Sequence, residues 1–417
     1  MAKNTLDIIV AGAGIGGLGV ALALQQAGHR VRLFERTRAL RPVGAAISVW
    51  PNGVKVLRAL GVGAPLDAAA GKMDRMSYHD RDGGLMARFS LQPLYDKVQE
   101  RAKPIARMAL QQLLLDAVGA HHVQLGATCE RYEQDGAGVT VHLTNGSTHR
   151  ADLFVVSDGS RSRLRDQVAG QVISRRYRGY VNWNGRIRIA PELGVADEWT
   201  QFVGDHRRVS LMPMGGDAFY FFFDVPLSDP SVLGIEMERR QIAPDGTASL
   251  AGEAAFPKQV DPERHRRVLC DHFDGWAPPV RYLIERMDPA VIANVAIHDT
   301  DPVPRLADRR VVMIGDAAHA MAPDLGQGGC QALEDAWVLA RALDGEHVGD
   351  IVAALRHYEQ QRLPRVHDIV ERARKRAAVI HGDDPVQTQA WYDALRAETG
   401  ADVIAGLHKT IDGGPIR

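Results

Sequence analysis

The segment Gly12-Ala13-Gly14-Ile15-Gly16-Gly17 constrains this chain more than any other. It follows a β-branched apolar run at 6–11, which reads as a buried parallel strand. It precedes a helix-forming stretch at 18–27, stopped by Gly28. Residues 30–35 supply a second strand, so the unit is strand, loop, helix, strand with a right-handed crossover. Gly12 permits the tight turn, Gly14 admits a pyrophosphate to the backbone, and Gly17 lets helix and strand approach. The helix N-terminus then offers free N–H groups to an anion. Glu35 ends the second strand eighteen residues past Gly17. An acid there accepts a ribose hydroxyl and repels a 2′-phosphate, which argues against NADP. The unit predicts a dinucleotide site. The alternative is a plain glycine turn, and the loop alone does not choose between FAD and NAD.

The 417 residues suffice for two to three domain equivalents and a large core. Fifty basic residues face fifty-one acidic ones, a balance unlike the basic excess of nucleic-acid binders. The three cysteines, Cys129, Cys270 and Cys330, form no CxxC pair, which argues against a disulfide framework and against a metal site. That pattern suits a reducing compartment, and cytoplasmic localisation is expected. Residues 1–7 lack the apolar core of a signal peptide, and no run of about 18 apolar residues predicts a membrane span.

Helices are predicted at 54–60, 107–118, 267–273, 279–287, 332–343, 352–379 and 386–399, the last being the one helix expected in the tail. Strands are predicted at 139–143, 152–157 and 310–314. Between 177 and 225 the pattern changes to strands at 181–189, 200–203, 208–212 and 218–225, an expected antiparallel sheet. Residues 228–262 are rich in Pro, Gly, Asp and Glu, and read as a flexible insertion. The charged helix 352–379 is either a partner surface or a solvated face, and the oligomeric state, homo-oligomer included, stays open.

Two more blocks carry chemistry. Val311-Val312-Met313-Ile314-Gly315-Asp316 runs a strand into a turn whose Asp316 can bind a ribityl or ribose hydroxyl. It continues through Pro323-Asp324-Leu325-Gly326-Gln327-Gly328-Gly329 into a helix whose N-terminus suits the negative charge of a reduced flavin. Asp158-Gly159 follows another strand, between these two segments.

In this order the three blocks resemble the class A flavoprotein monooxygenases of the p-hydroxybenzoate hydroxylase type. The resemblance implies an α/β fold: a Rossmann-like FAD-binding domain of the GR2 type, an inserted antiparallel β-sheet substrate domain and a C-terminal helical segment. The expected FAD-binding parts are 1–73, 101–176 and 291–345, the substrate parts 74–100 and 177–290, and the helical region 346–417. It implies FAD contacts from Gly12, Gly14, Ile15, Gly16, Gly17, Glu35, Arg36, Ser48, Arg107, Cys129, Asp158, Asp316, Leu325, Gly326, Gln327, Gly328 and Gly329. It also implies NADH as reductant and O2 as co-substrate.

Longer stretches narrow the resemblance to the FAD-dependent urate hydroxylases. They are Pro42-Val43-Gly44-Ala45-Ala46-Ile47-Ser48-Val49-Trp50-Pro51-Asn52-Gly53, Gly179-Tyr180-Val181-Asn182-Trp183-Asn184-Gly185, Arg208-Val209-Ser210-Leu211-Met212-Pro213 and Tyr220-Phe221-Phe222-Phe223-Asp224-Val225-Pro226. The segment 232–260 looks longer than in those enzymes, which bears on the pocket. This likeness implies hydroxylation of urate at C5 to 5-hydroxyisourate. Urate is a planar anion with N–H donors and carbonyl acceptors. Arg208 offers it a fixed fork and a permanent charge. Asn182 can pair with an amide edge, Tyr220 offers a ring and a hydroxyl, and Phe221 and Phe222 would exclude water. Asp324 could accept a ring N–H or orient a water.

Each residue has a plainer reading. Arg207 and Arg208 suit a solvated strand, 220–223 suit sheet core with alternate residues facing away, and Asn182 suits a turn. His319 reads as a structural histidine. A hydroxylase of a phenolic or N-heteroaromatic acid, such as hydroxybenzoate or 6-hydroxynicotinate, would use an arginine in the same way. A non-catalytic FAD regulator and an NAD-binding structural protein are the readings outside that chemistry.

Overall fold

A computed structural model describes residues 5–40, 46–233, 240–242, 248–250, 262–344 and 349–416. Residues 42–45 of the long stretch quoted above, and most of the segment 232–260, lie outside the described residues.

The first sheet has the strand order Ala307–Asp308, Val311–Met313, Leu153–Val156, Asp7–Ala11, Arg30–Glu35, Val123–Leu125. All neighbours are parallel except the Ala307–Asp308 edge. Ile8, Ile9, Val10 and the whole of Leu153–Val156 are buried, as strands covered on both faces must be. The register sets Ala11 beside Val156 and Phe34, and Val156 beside Met313. The loops carrying Gly12, Arg36, Asp158 and Gly315 therefore open at one end of the sheet, where ligands of such folds bind.

The helix Ile15–Gln26 starts inside the glycine motif, three residues before the predicted start, and every residue from Ile15 to Leu24 is buried. It is apolar all round because it packs between this sheet, Arg107–Val118 and Gly328–Asp344.

The second sheet has the order Ala293–Thr300, Arg175–Arg188, Ala218–Pro226, Arg207–Pro213, Glu198–Gly204, Arg75–Asp80, Leu85–Ser90. It is antiparallel except where Glu198–Gly204 lies parallel to Arg75–Asp80, a strand from a distant part of the chain. Ala293–Thr300 joins this sheet beside Arg175–Arg188, although 291–345 was expected to belong wholly to the FAD-binding part. The outer face is apolar: Val209, Leu211, Phe219, Phe221 and Phe223 pack with Leu269, Phe273 and Leu283 of the helices Pro262–His272 and Pro278–Arg286. The inner face is polar and buried, with Asn182, Asn184, Arg208, Ser210 and Asp224.

The helix Ile351–His381 is no solvated rod. Its buried residues, including Ile351, Leu355, Tyr358, Arg362, Val366, Ile369, Ala373, Ala377 and Ile380, recur at three- and four-residue steps. At 31 residues it spans roughly 46 Å. It runs from the first sheet's strands to the second sheet, where it packs against Arg207–Pro213 and Ala218–Pro226. The tail holds two helices, Pro385–Ala397 and Ala401–Asp412, where one was expected. They are parted at Gly400, whose φ of +100° and contact with the Phe89 ring leave no room for a side chain. Among the described residues no helix is long and apolar enough to cross a membrane.

Candidate active site

The glycine loop is shaped by close approach. A Cβ on Gly17 would lie 1.9 Å from the Gly12 carbonyl oxygen, and one on Gly12 would lie 2.4 Å from that of Ser157. A Cβ on Gly14 would meet nothing within 4 Å, so it borders open space at the helix N-terminus. That is the geometry a pyrophosphate needs. Ile15 and Gly16 are buried in the first turn of the helix. Glu35 holds the loop: its carboxylate accepts the N–H of Ala13 at 2.8 Å and that of Thr37 at 2.9 Å. Lone pairs remain for a ribose hydroxyl. Gln111, which lies in none of the sequence motifs, donates to the Ala13 carbonyl at 2.6 Å from the helix that Arg107 begins.

Around this loop stand several of the expected FAD contacts. Arg36 and Arg107 are exposed. Cys129 lies beside Asp158, and burial pushes its thiol up to about 12, so it acts as packing. Asp158 is half-buried, its Oδ1 atom is shielded from solvent and unpaired, and desolvation raises its pKa. A buried acceptor without a donor is costly, and a cofactor hydroxyl or amide would satisfy it. The residues present thus fit a dinucleotide.

The second half of the cradle is the turn Pro323–Leu325 and the start of Gly328–Asp344. Asp316 is exposed at the end of the first sheet and faces Gly328. Gly326 has a φ of +61°, and a Cβ there would strike Ser48 Oγ at 2.7 Å and the unpaired Trp50 Nε1 at 2.8 Å. Gly329 sits against Ile47, and Leu325 is half-buried. Gln327 departs from expectation. Its side chain is buried, with Oε1 accepting from Asn52 and Gln331 at 3.0 Å each.

The polar face of the second sheet closes on this turn. Arg208 donates from Nε to Asp224 at 2.9 Å, and from Nη2 to Asp224 at 2.7 Å and to Asp324 at 2.9 Å. Both carboxylates are fully buried. Burial opposes their charge, but Arg208 and His381 outweigh it and hold both carboxyls below the usual range. Burial likewise disfavours the Arg208 charge, and the two carboxylates overcome it. Nη1 of Arg208 has no hydrogen-bond acceptor among the described residues. The Arg208 guanidinium also lies 5.1 Å from the Phe222 ring centre. The solvated-strand reading of Arg208 therefore fails.

Three expectations need correction here. Asp324 is not unpaired: its oxygens already take Arg208 and the Tyr180 hydroxyl, the latter at 2.6 Å, because a buried carboxylate must be paired. Asn182 is committed too, donating to Asp224 at 2.6 Å and accepting from Asn184 at 2.7 Å. The free amide oxygen belongs to Asn184, buried and unpaired. Phe221 lies on the opposite face, in the outer core with Phe223, because strand residues alternate. Tyr220 and Phe222 share the Arg208 side, with ring centres 5.7 Å apart. The Tyr220 hydroxyl has no hydrogen bond among the described residues, and burial raises its pKa, so it stays protonated.

Three residues of this cluster were not singled out from sequence. Asp224 had a signal, a lone acid in an apolar strand. Tyr180 had only its place in a quoted stretch. His381 had none, since the long helix delivers it from a remote position. His319 is a structural histidine, 2.7 Å from Asp335. Among the described residues, no group of three or more His, Cys, Asp or Glu could hold a metal.

The FAD binding domain family model matches residues 5–226 and 294–373. The FAD-dependent urate hydroxylase of Klebsiella pneumoniae subsp. pneumoniae is 46% identical over 412 residues, covering 99% of this chain and all of the relative. The FAD-dependent urate hydroxylase of Mycolicibacterium vanbaalenii is 42% identical over 414 residues, covering 99% and 98%. The crystal structure of Klebsiella pneumoniae HpxO complexed with FAD and uric acid superposes with a TM-score of 0.89 at 44% identity, covering 100% of this chain and 99% of that one. This chain belongs to the FAD-binding flavoprotein family that includes the FAD-dependent urate hydroxylases.

Proposed function

We propose that the protein hydroxylates urate at C5, consuming NADH, a proton and O2 and releasing 5-hydroxyisourate, NAD+ and water. The observation that carries this reading is the Arg208 cluster: a buried cation, held by two carboxylates, with Nη1 left without an acceptor among the described residues. End-to-end likeness to curated urate hydroxylases supports the same substrate.

Bound FAD supplies the redox and oxygen-transfer chemistry. The chain supplies position, charge and dryness. Arg208 Nη1 pairs with the urate anion and favours negative charge on the ring as C5 reacts. The Asn184 amide oxygen accepts a ring N–H, and the Tyr220 hydroxyl donates to a urate carbonyl. Phe222 and Tyr220 wall the ring and keep water from the reacting atoms. Asp224, Asp324 and Tyr180 fix the guanidinium, so its donor is in place before the substrate arrives. The rest of the site assignment stands with this proposal: the glycine loop, Glu35 and Asp158 for the adenosine and pyrophosphate end, and 316 and 325–329 for the flavin end.

The test follows NADH loss, urate loss and peroxide together, with hydroxybenzoate and 6-hydroxynicotinate as alternative substrates. Urate stimulates NADH oxidation with stoichiometric urate loss. Arg208→Gln retains FAD and NADH oxidation but yields peroxide in place of product. Full coupling in that variant removes Arg208 from the reaction, and stimulation by the aromatic acids alone removes urate.

A further inference from the structure

His381, the last residue of the 31-residue helix, sits against the Arg208 cluster. Its ring stacks on Tyr180 with centroids 4.3 Å apart and an interplanar angle of 29°. Nδ1 lies 3.0 Å from the His206 carbonyl oxygen. A carbonyl only accepts, so Nδ1 carries a proton. Nε2 lies 3.6 Å from Asp224 Oδ2 and 3.6 Å from Asp324 Oδ1. Both carboxylates are ionised by their bonds to Arg208, so neither has a proton to give. The ring is fully buried, and Nε2 takes no hydrogen bond. A neutral ring would aim a lone pair at two anions. A doubly protonated ring aims a positive charge at them.

Charge balance gives this its meaning. Asp224 and Asp324 together carry two negative charges and Arg208 one positive. These three groups alone are net negative and repel an anion; the cations that offset them are His381, against both carboxylates, and Arg376 of the same helix, electrostatically linked to Asp324. Arg376, on the same helix, lies 4.7 Å from the Trp391 ring centre, and Tyr78, Arg208 and Asp324 lie in its surroundings. The charged and titratable groups around the cluster are Asp224, Asp324, Arg208, Tyr180, Tyr220, His206 and Arg376, with Tyr78 beside Arg376.

We propose that His381 is a positioning residue for the substrate anion: its imidazolium offsets Asp224 and Asp324, so that the cluster admits an anion and Arg208 keeps Nη1 free to bind it. The proposal rests on the urate reading above. Burial would lower the His381 pKa, but the two carboxylates override it and hold it above the ordinary histidine value. The sign follows. The charge is in place below the ordinary histidine value of about 6.5 and is lost as pH rises through the raised pKa. Tyr180 and Tyr220, both pushed up by burial, do not titrate in that window.

The test is equilibrium binding of urate to the FAD-loaded protein without NADH, read from the flavin absorbance between about pH 6.5 and pH 9. The wild type should lose affinity tenfold per pH unit along an alkaline limb. His381→Gln should bind urate at least tenfold more weakly at neutral pH and lack that limb, while keeping its flavin spectrum. The double variant His381→Gln/Asp224→Asn, which restores the charge balance, should regain part of the affinity. A wild-type dissociation constant that does not change across this range overturns the role of His381, even if His381→Gln fails to fold. Absence of urate binding by the wild type at any pH overturns the urate reading, and this inference with it.

Discussion

At the scale of single residues, the account turns on which side of a strand a group faces. Phe221 and Phe222 are adjacent and chemically alike, yet one lines the outer core and the other meets Arg208. Phe221→Ala should cost about 3–5 kcal/mol of stability, with activity per bound flavin retained. Phe222→Ala should leave the melting temperature within a few degrees and raise the share of NADH oxidation that ends in peroxide. Melting curves and peroxide assays on the pair decide this, and a swapped pattern would reverse the assigned faces. The glycines were the most legible residues, because each need is local: a Cβ on Gly17 meets backbone, which cannot move aside. Gly17→Ala should therefore abolish FAD retention, measured as the flavin-to-protein absorbance ratio. Asn182 and Asp324 do stand at the Arg208 cluster, each already holding hydrogen bonds that the sequence does not show. Sequence reveals that a polar group is present, not whether another buried group has already taken its hydrogen bonds. His381 was illegible for the same reason, since its partners come from a strand and a turn remote in the chain.

Among elements, the parallel strands Asp7–Ala11, Arg30–Glu35, Leu153–Val156 and Val311–Met313 and the helix Arg107–Val118 were readable because apolar runs and helical spacing are properties of one segment, whereas the short parallel edge strand Val123–Leu125 was not. The strands Arg75–Asp80 and Leu85–Ser90 were not, being mixed in composition and stabilised by pairing, the first with Glu198–Gly204 and the second with the first. The helix Ile351–His381 was located but its purpose was not, because its charges looked solvated. Arg362 is in fact buried, donating to Asp335 at 2.7 Å and to Glu334 at 2.6 Å, and Arg365 joins Glu334 at 2.6 Å. These bonds tie the long helix to Gly328–Asp344, whose N-terminus faces the flavin turn. Arg362→Ala leaves two buried carboxylates short of a partner and should destabilise the fold by about 3–5 kcal/mol. Burial alone would raise both acids, yet their arginines hold Glu334 and Asp335 below their ordinary values. Depressed carboxyl pKa values stabilise the fold above about pH 4, and that stability is lost as pH falls. Melting temperature against pH should fall steeply on the acid side for the wild type and less so for Arg362→Ala. Equal slopes would contradict this assignment.

For the molecule as a whole, the two sheets and the long helix form a frame that sets a polar sheet face opposite a glycine-lined cradle. The order of the three nucleotide-binding blocks made that frame legible, because strand, turn and helix recur at each. The substrate wall was less so, since its composition is set by contacts across elements. On the proposed site assignment FAD would bridge the loop at Gly12 and the turn at Gly326, so its removal should lower the melting temperature. Added FAD at a hundredfold over its dissociation constant should restore roughly 2.7 kcal/mol. The central claim is that this frame directs one atom of O2 to the urate ring. It is tested most directly by supplying urate, NADH and isotopically labelled O2 to the FAD-loaded protein and weighing the product at once by mass spectrometry. The account predicts 5-hydroxyisourate bearing a single labelled oxygen, formed in step with NADH loss. Unlabelled product, or NADH loss with urate untouched and all the oxygen recovered as peroxide, would contradict it.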